Sequence, residues 1–120
     1  MANKLSKEEL ENNLAQFMGT EEYHRFSPLT KLVCTDGVMY LAENAGCFWL
    51  LDILASVQSM DKIKKQDMQV LIFNTGELNV RIEDGNKNVL YTQKIPSTDF
   101  PLDEITLWVM NNVVLLPSEY

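Results

Sequence analysis

The chain has 120 residues, 46% of them hydrophobic and 22% charged, which suits one folded domain and excludes a disordered chain. A formal net charge of −7 argues against direct nucleic-acid binding, which needs Lys and Arg to replace counterions. No apolar run is long enough to span a bilayer, and "MANKLSKEEL" lacks the apolar core of a secretory signal.

The first element is signposted by Ser6 and Glu9, the S-x-x-E capping box. Leu5 and Leu10 fit a hydrophobic staple across it. Leu10, Leu14, Phe17 and Met18 share one helical face, and Gly19 follows as a C-terminal cap, so a helix is predicted over about 6–18. "TEEYHRFSPLTKLV" reads as a connector with a helical turn near Glu21–His24. "TDGVMYLAENAG" admits two readings. Asp36-Gly37 could turn a hairpin, pairing "KLVC" with "VMYL". The spacing of Val38, Leu41, Ala42 and Ala45, with Gly46 as a stop, favours a helix over about 36–45. "CFWLLDILASVQSM" is apolar around most of its circumference, which predicts a central helix over about 47–60 with Asp52, Ser56 and Ser59 as its polar stripe. "DKIKK" ends it as a solvated, dipole-complementing terminus.

From there the apolar period changes from the helical one to two. "MQVLIFN" (68–74), "ELNVRIE" (77–83) and "VLYTQKI" (89–95) read as an antiparallel meander, with "NTG" and "DGNKN" as turns. In the second strand Leu78, Val80 and Ile82 point one way. "EITLWVM" (104–110) and "VVLL" (113–116) follow, joined by an Asn-Asn pair suited to a two-residue hairpin turn, with Pro117 closing the last strand. A helix from Leu102 is the rival reading, disfavoured by Val109, Val113, Val114 and the Asn pair. The expected fold is therefore a single α+β domain over 1–120. Helices from the front half lie on a five-stranded antiparallel sheet from the back half, and the last apolar residues are core.

Chemistry-bearing residues are few. Asp52 lies inside "WLLDILA", where a carboxylate either bonds a neighbouring loop, faces outward with Ser56 or titrates abnormally. His24 is the only histidine, and Glu21-x-x-His24 has the spacing of di-metal bundles without the second copy those sites need. Cys34 and Cys47 read as small buried hydrophobes in a reducing cytoplasm, not as a disulfide or a nucleophile. There is no phosphate-binding Gly loop, no G-x-S-x-G and no Cys-x-x-Cys, so no metal and no cofactor is expected. Trp108 falls opposite the Ile105/Leu107/Val109 face. It is core if a helix covers that side, and an exposed interface anchor if none does.

Taken together, "GTEEYHR", "TDGVMYLAENAGCFWLLDILAS", "TQKI", "TDFPL" and "LLPSEY" resemble a family of small uncharacterised bacterial proteins, a domain of unknown function also met on phages and plasmids. The resemblance covers nearly the whole chain, with residues 67–90 less typical, and implies no catalytic residue. The company of mobile elements implies a regulator or inhibitor of a host protein.

Two functional expectations follow. The favoured one is a cytoplasmic, acidic, non-enzymatic interaction protein that contacts a protein partner through Asp99, Asp103, Glu104, Trp108 and Glu119. The other is a small-molecule binder or hydrolytic enzyme, with His24, Tyr40 and Asp52 around a pocket between the third helix and the sheet. A homodimer through an open sheet face or edge is compatible with both.

Overall fold

The computed structural model describes residues 6–120. The expected staple involves Leu5, which lies outside the described residues. The capping box is present: the Glu9 N–H donates to Ser6 Oγ and the Ser6 N–H donates to Glu9 Oε1. It starts α1 (Lys7–Leu14), which ends four residues earlier than the apolar pattern implied. Beyond Leu14 the backbone tightens into turns, with the Phe17 N–H on the Leu14 carbonyl. Phe17 thereby leaves the helix face to meet the Tyr40 ring at 5.3 Å, and Met18 is left exposed.

The connector is not helical. Tyr23–Arg25 forms β1 and Val33–Thr35 forms β2, paired antiparallel with His24 opposite Cys34. The helix reading of the next segment holds. Thr35 caps α2 (Asp36–Ala45) by accepting from the Val38 N–H, and Gly46 ends it at φ 63°. The long third helix divides into α3 (Phe48–Val57) and α4 (Asp61–Lys64). At the break the hydroxyls of Ser56 and Ser59 donate to the carbonyls of Ile53 and Ser56, a competition that weakens a helix end. Gln58 and Gln69 exchange two amide hydrogen bonds, at 2.8 and 3.1 Å, fixing the turn to the sheet. "DKIKK" is more than a solvated end, because Ile63 within it is fully buried.

The back half supplies β3 (Met68–Asn74), β4 (Asn79–Asp84), β5 (Val89–Lys94), β6 (Glu104–Met110) and β7 (Val113–Leu115). The meander and the closing hairpin are as predicted, with Asn111 and Asn112 at φ 52° and 65°. The second strand starts at Asn79 because Leu78 takes φ 50° and belongs to the turn. Pro117 opens a 3-10 turn, Pro117–Glu119.

The sheet differs from expectation in size and sense. It has seven strands in the order β1-β2-β7-β6-β3-β4-β5, and β2 runs parallel to β7. The front half therefore supplies two strands as well as the helices, and β7 is interior to the sheet. Every α-helix feeds one core cluster: Leu10 and Leu14, Leu41, Leu54 and Ile63 meet Leu71, Phe73, Val80, Ile82, Leu107, Val109 and Val114. Strand register places all those sheet residues on one face.

The β4–β5 turn carries a pH-dependent contribution. Asp84 accepts from the Asn88 amide side chain and from the N–H groups of Asn86 and Asn88. These bonds hold its carboxyl below the usual value. A lowered folded-state value means the stabilisation is complete above about pH 4 and fades as acid protonates the group below that. Urea melts at pH 5 and pH 3 should show Asp84→Asn losing less stability on acidification than the parent. An equal loss in both would rule the contribution out.

Candidate functional site

Alternation along β6 decides where its side chains go. Leu107 and Val109 enter the core, while Glu104, Thr106, Trp108 and Met110 point to the opposite face. Cross-strand neighbours extend that face. Val70 and Leu115 flank Trp108, Ile72 flanks Thr106, and Val113 lies opposite Met110. Toward β5 it carries Arg81 and Glu83, joined through Arg81 Nε and Glu83 Oε2. The apolar members, except Leu115, are only half-buried, whereas the residues between them on the same strands are core. Trp108 is thus the aromatic on a helix-free sheet face, not a core residue.

The C-terminal turn frames one end of that face. The Tyr120 ring meets Trp108 edge-on at 5.8 Å. Tyr120 also lines an open cleft of about 370 Å³ with Thr20, Tyr23, Thr35, Met110, Val113 and Leu115. Tyr23, Met110 and Tyr120 carried no sequence signal as a group, because their strands are neighbours only in the folded sheet.

The five expected contact residues are only partly brought together. Glu104 and Trp108 share the open face. Asp103 is in an ion pair with Lys7 at 2.7 Å, and Asp99 is exposed on the β5–β6 connection. Glu119 turns inward. Its carboxylate accepts from the Thr35 hydroxyl at 2.5 Å, the Gly37 N–H at 3.1 Å and the Leu116 N–H at 2.9 Å. It is an internal tie between the C-terminal turn and the start of α2.

The three expected pocket residues do not converge. Asp52 is exposed on the outer side of α3. Tyr40 Oη accepts from the Asn13 amide at 2.7 Å. His24 Nε2 lies 2.8 Å from Asp36 Oδ1. That bond, with the Glu21 N–H, holds the Asp36 carboxyl below its ordinary value. The space between α3 and the sheet is filled by Leu50, Leu51, Leu54, Leu71 and Phe73, each at most 2% exposed, and the Trp49 ring meets Phe73 at 5.1 Å. Cys34 and Cys47 are buried as reduced thiols. Burial, with the Glu119, Asp36 and Glu43 charges, pushes the Cys34 thiol up to about 12, which leaves it no thiolate with which to react.

Fold and site define a two-layer α+β domain, with helices over one face of a mixed sheet and an aromatic-edged cleft on the other. Among the described residues no helix is long and apolar enough to cross a membrane. The chain belongs to DUF6876, a family of unknown function, which it matches over residues 8–120. No curated protein and no solved structure matches it.

Proposed function

We propose that this is a non-enzymatic interaction protein that docks a protein partner on its helix-free sheet face. The observation that carries the proposal is Trp108, partly exposed between Val70 and Leu115, with no α-helix over it and the Tyr120 ring against one edge. A large aromatic on a flat apolar surface is the usual anchor of an interface. Glu104 on the same strand and the chain's charge of −7 favour a partner with a basic rim, and set a salt-sensitive association rate. In its finer form the proposal places the protein in the cytoplasm, as a mobile-element regulator or inhibitor of a host protein. The small-molecule reading is weakened by the scatter of His24, Tyr40 and Asp52.

Trp108→Thr keeps a strand-forming residue and is expected to leave the fold intact while lowering stability by about 1–3 kcal/mol, through lost contact with Val70, Leu115 and Tyr120. Affinity capture from host extract at low salt, repeated with Trp108→Thr, Glu104→Lys and the remote Asp52→Asn, tests the surface. The expected outcome is a partner held by the parent and by Asp52→Asn, lost with Trp108→Thr and weakened with Glu104→Lys. Capture that is indifferent to Trp108 would remove this face from the function. Light scattering of the same variants distinguishes a second copy of this chain from a foreign partner.

A further inference from the structure

The lone histidine belongs to a cluster that its sequence neighbours did not reveal. Glu22 immediately precedes β1, His24 is the central residue of that strand, and their ligand atoms converge; Glu21 contributes its N–H, to Asp36 Oδ2. The β1–β2 pairing and the start of α2 then bring in Asp36. One ligand atom each from Glu22, His24 and Asp36 lie within 4.8 Å of one another. The geometry points to a site for a single divalent transition-metal ion, zinc in the first instance, held by one imidazole nitrogen and two carboxylate oxygens.

The chemistry of the donors selects the metal. Two carboxylates alone would suit magnesium or calcium, but an imidazole nitrogen shifts the preference to zinc and its first-row neighbours. Zinc bonds of about 2.0–2.2 Å hold neighbouring ligand atoms roughly 3.0–3.5 Å apart. The Nε2–Oδ1 separation of 2.8 Å is already near that value; in the metal-free chain it is a hydrogen bond donated by Nε2, so zinc takes the place of that proton, which is released to solvent. Glu22 is exposed, and its carboxylate makes no hydrogen bond among the described residues, so its rotation completes the triad. The frame around it is fixed by the rest of the chain. The Glu21 N–H occupies Asp36 Oδ2 at 3.0 Å, leaving Oδ1 turned to the imidazole. Thr20 Oγ1 accepts from the Asp36 N–H and donates to the Glu22 carbonyl, tying the two carboxylate-bearing segments together. Ligand-orienting contacts of this kind are what an ion site requires. Cys34, opposite His24 in the strand pair, is not among the groups whose ligand atoms converge. With three protein donors, water completes the coordination. The N-terminal end of α2 disfavours a nearby cation, so the affinity expected is modest, with Kd on the order of 10 µM.

Isothermal titration of the full chain with zinc chloride near neutral pH tests this, with magnesium chloride as the contrast. The single imidazole also gives an unambiguous NMR reporter. Expected are one zinc per chain, displacement of the His24 ring resonances, and little response to magnesium. His24→Ala should weaken zinc binding at least tenfold. Glu22→Gln, which disturbs no hydrogen bond of the fold, should weaken it about threefold or more, while the remote Asp61→Asn should leave it unchanged. The proposal is overturned by absent or unsaturable binding, by equal affinity in His24→Ala, or by full affinity in Glu22→Gln, which would show that Glu22 is no ligand and that the three-donor site does not form. None of these readouts depends on the protein-partner surface.

Discussion

A chain ending at Asn112 is expected to lose cooperative folding altogether. The eight residues removed include all of β7, which lies third in the seven-strand order between β2 and β6. Val114, Leu115 and Leu116 are at most 8% exposed. Burying three such side chains stabilises the fold by roughly 6 kcal/mol in total, against about 5–15 kcal/mol for a whole domain. The deletion also strands the backbone groups of β2 and of Trp108 to Met110 in β6, which pair with Val113 to Leu115. Those groups would sit unpaired beside a core opened to water. Near-ultraviolet circular dichroism and a urea melt should show no native tertiary signal and no sigmoidal transition. A second truncation ending at Leu116 separates the causes, because it keeps β7 and removes only the 3-10 turn, with its Glu119 tie, and Tyr120. It should melt cooperatively at lower urea. A chain ending at Asn112 that melts like the parent would mean that β7 is not part of the sheet in solution.

Replacing Glu119 by Ala is the most costly single polar substitution expected, at about 2–4 kcal/mol. Its carboxylate accepts three hydrogen bonds, from the Thr35 hydroxyl and from the Gly37 and Leu116 N–H groups. Two of those donors belong to the start of α2, where a negative group also complements the helix dipole. Removing it leaves the Gly37 N–H without this partner and frees the terminal turn that carries Tyr120. Glu119→Gln retains an acceptor oxygen but not the charge, so about half the loss is expected. Gly37→Ala should act through the same tie, because a Cβ there would stand 2.8 Å from three carboxyl atoms of Glu119. The two changes share one mechanism, so their double mutant should cost less than the sum of the singles. Urea unfolding of the four proteins measures this. Additive losses would show that Gly37→Ala does not act through Glu119, and a Glu119→Ala change under about 0.5 kcal/mol would show that the tie contributes nothing.

Local signals carried most of the helices and strands. The Ser6/Glu9 box, the Gly46 stop and the period-two runs from Met68 onward each operate within a few residues, so a linear reading finds them. The readings that failed needed partners remote in the chain. Three-residue strands such as β1 and β2 are too short to show a period. They are strands because β2 pairs with β7, some eighty positions later. The end of α1 and the break after α3 were set in the same way, by Phe17 reaching Tyr40 and by Gln58 reaching Gln69.

The candidate sites divide similarly. That Trp108 opposes the core-facing residues of its strand follows from alternation alone, but whether a helix covers it depends on where the helices pack. Glu119 read as one more surface acid, because nothing in "LLPSEY" shows that the chain folds back onto Thr35 and Gly37. The sequence by itself determined the α+β class, the meander, the final hairpin and the buried character of its last apolar run, since these rest on periodicity, turn chemistry and the aversion of apolar side chains to water. Only the tertiary structure decided the sheet's order and parallel join, the open face around Trp108, the inward turn of Glu119 and the meeting of Glu22, His24 and Asp36. Each of those is a contact between distant segments, and its free energy comes from pairing and packing that no single stretch of chain contains.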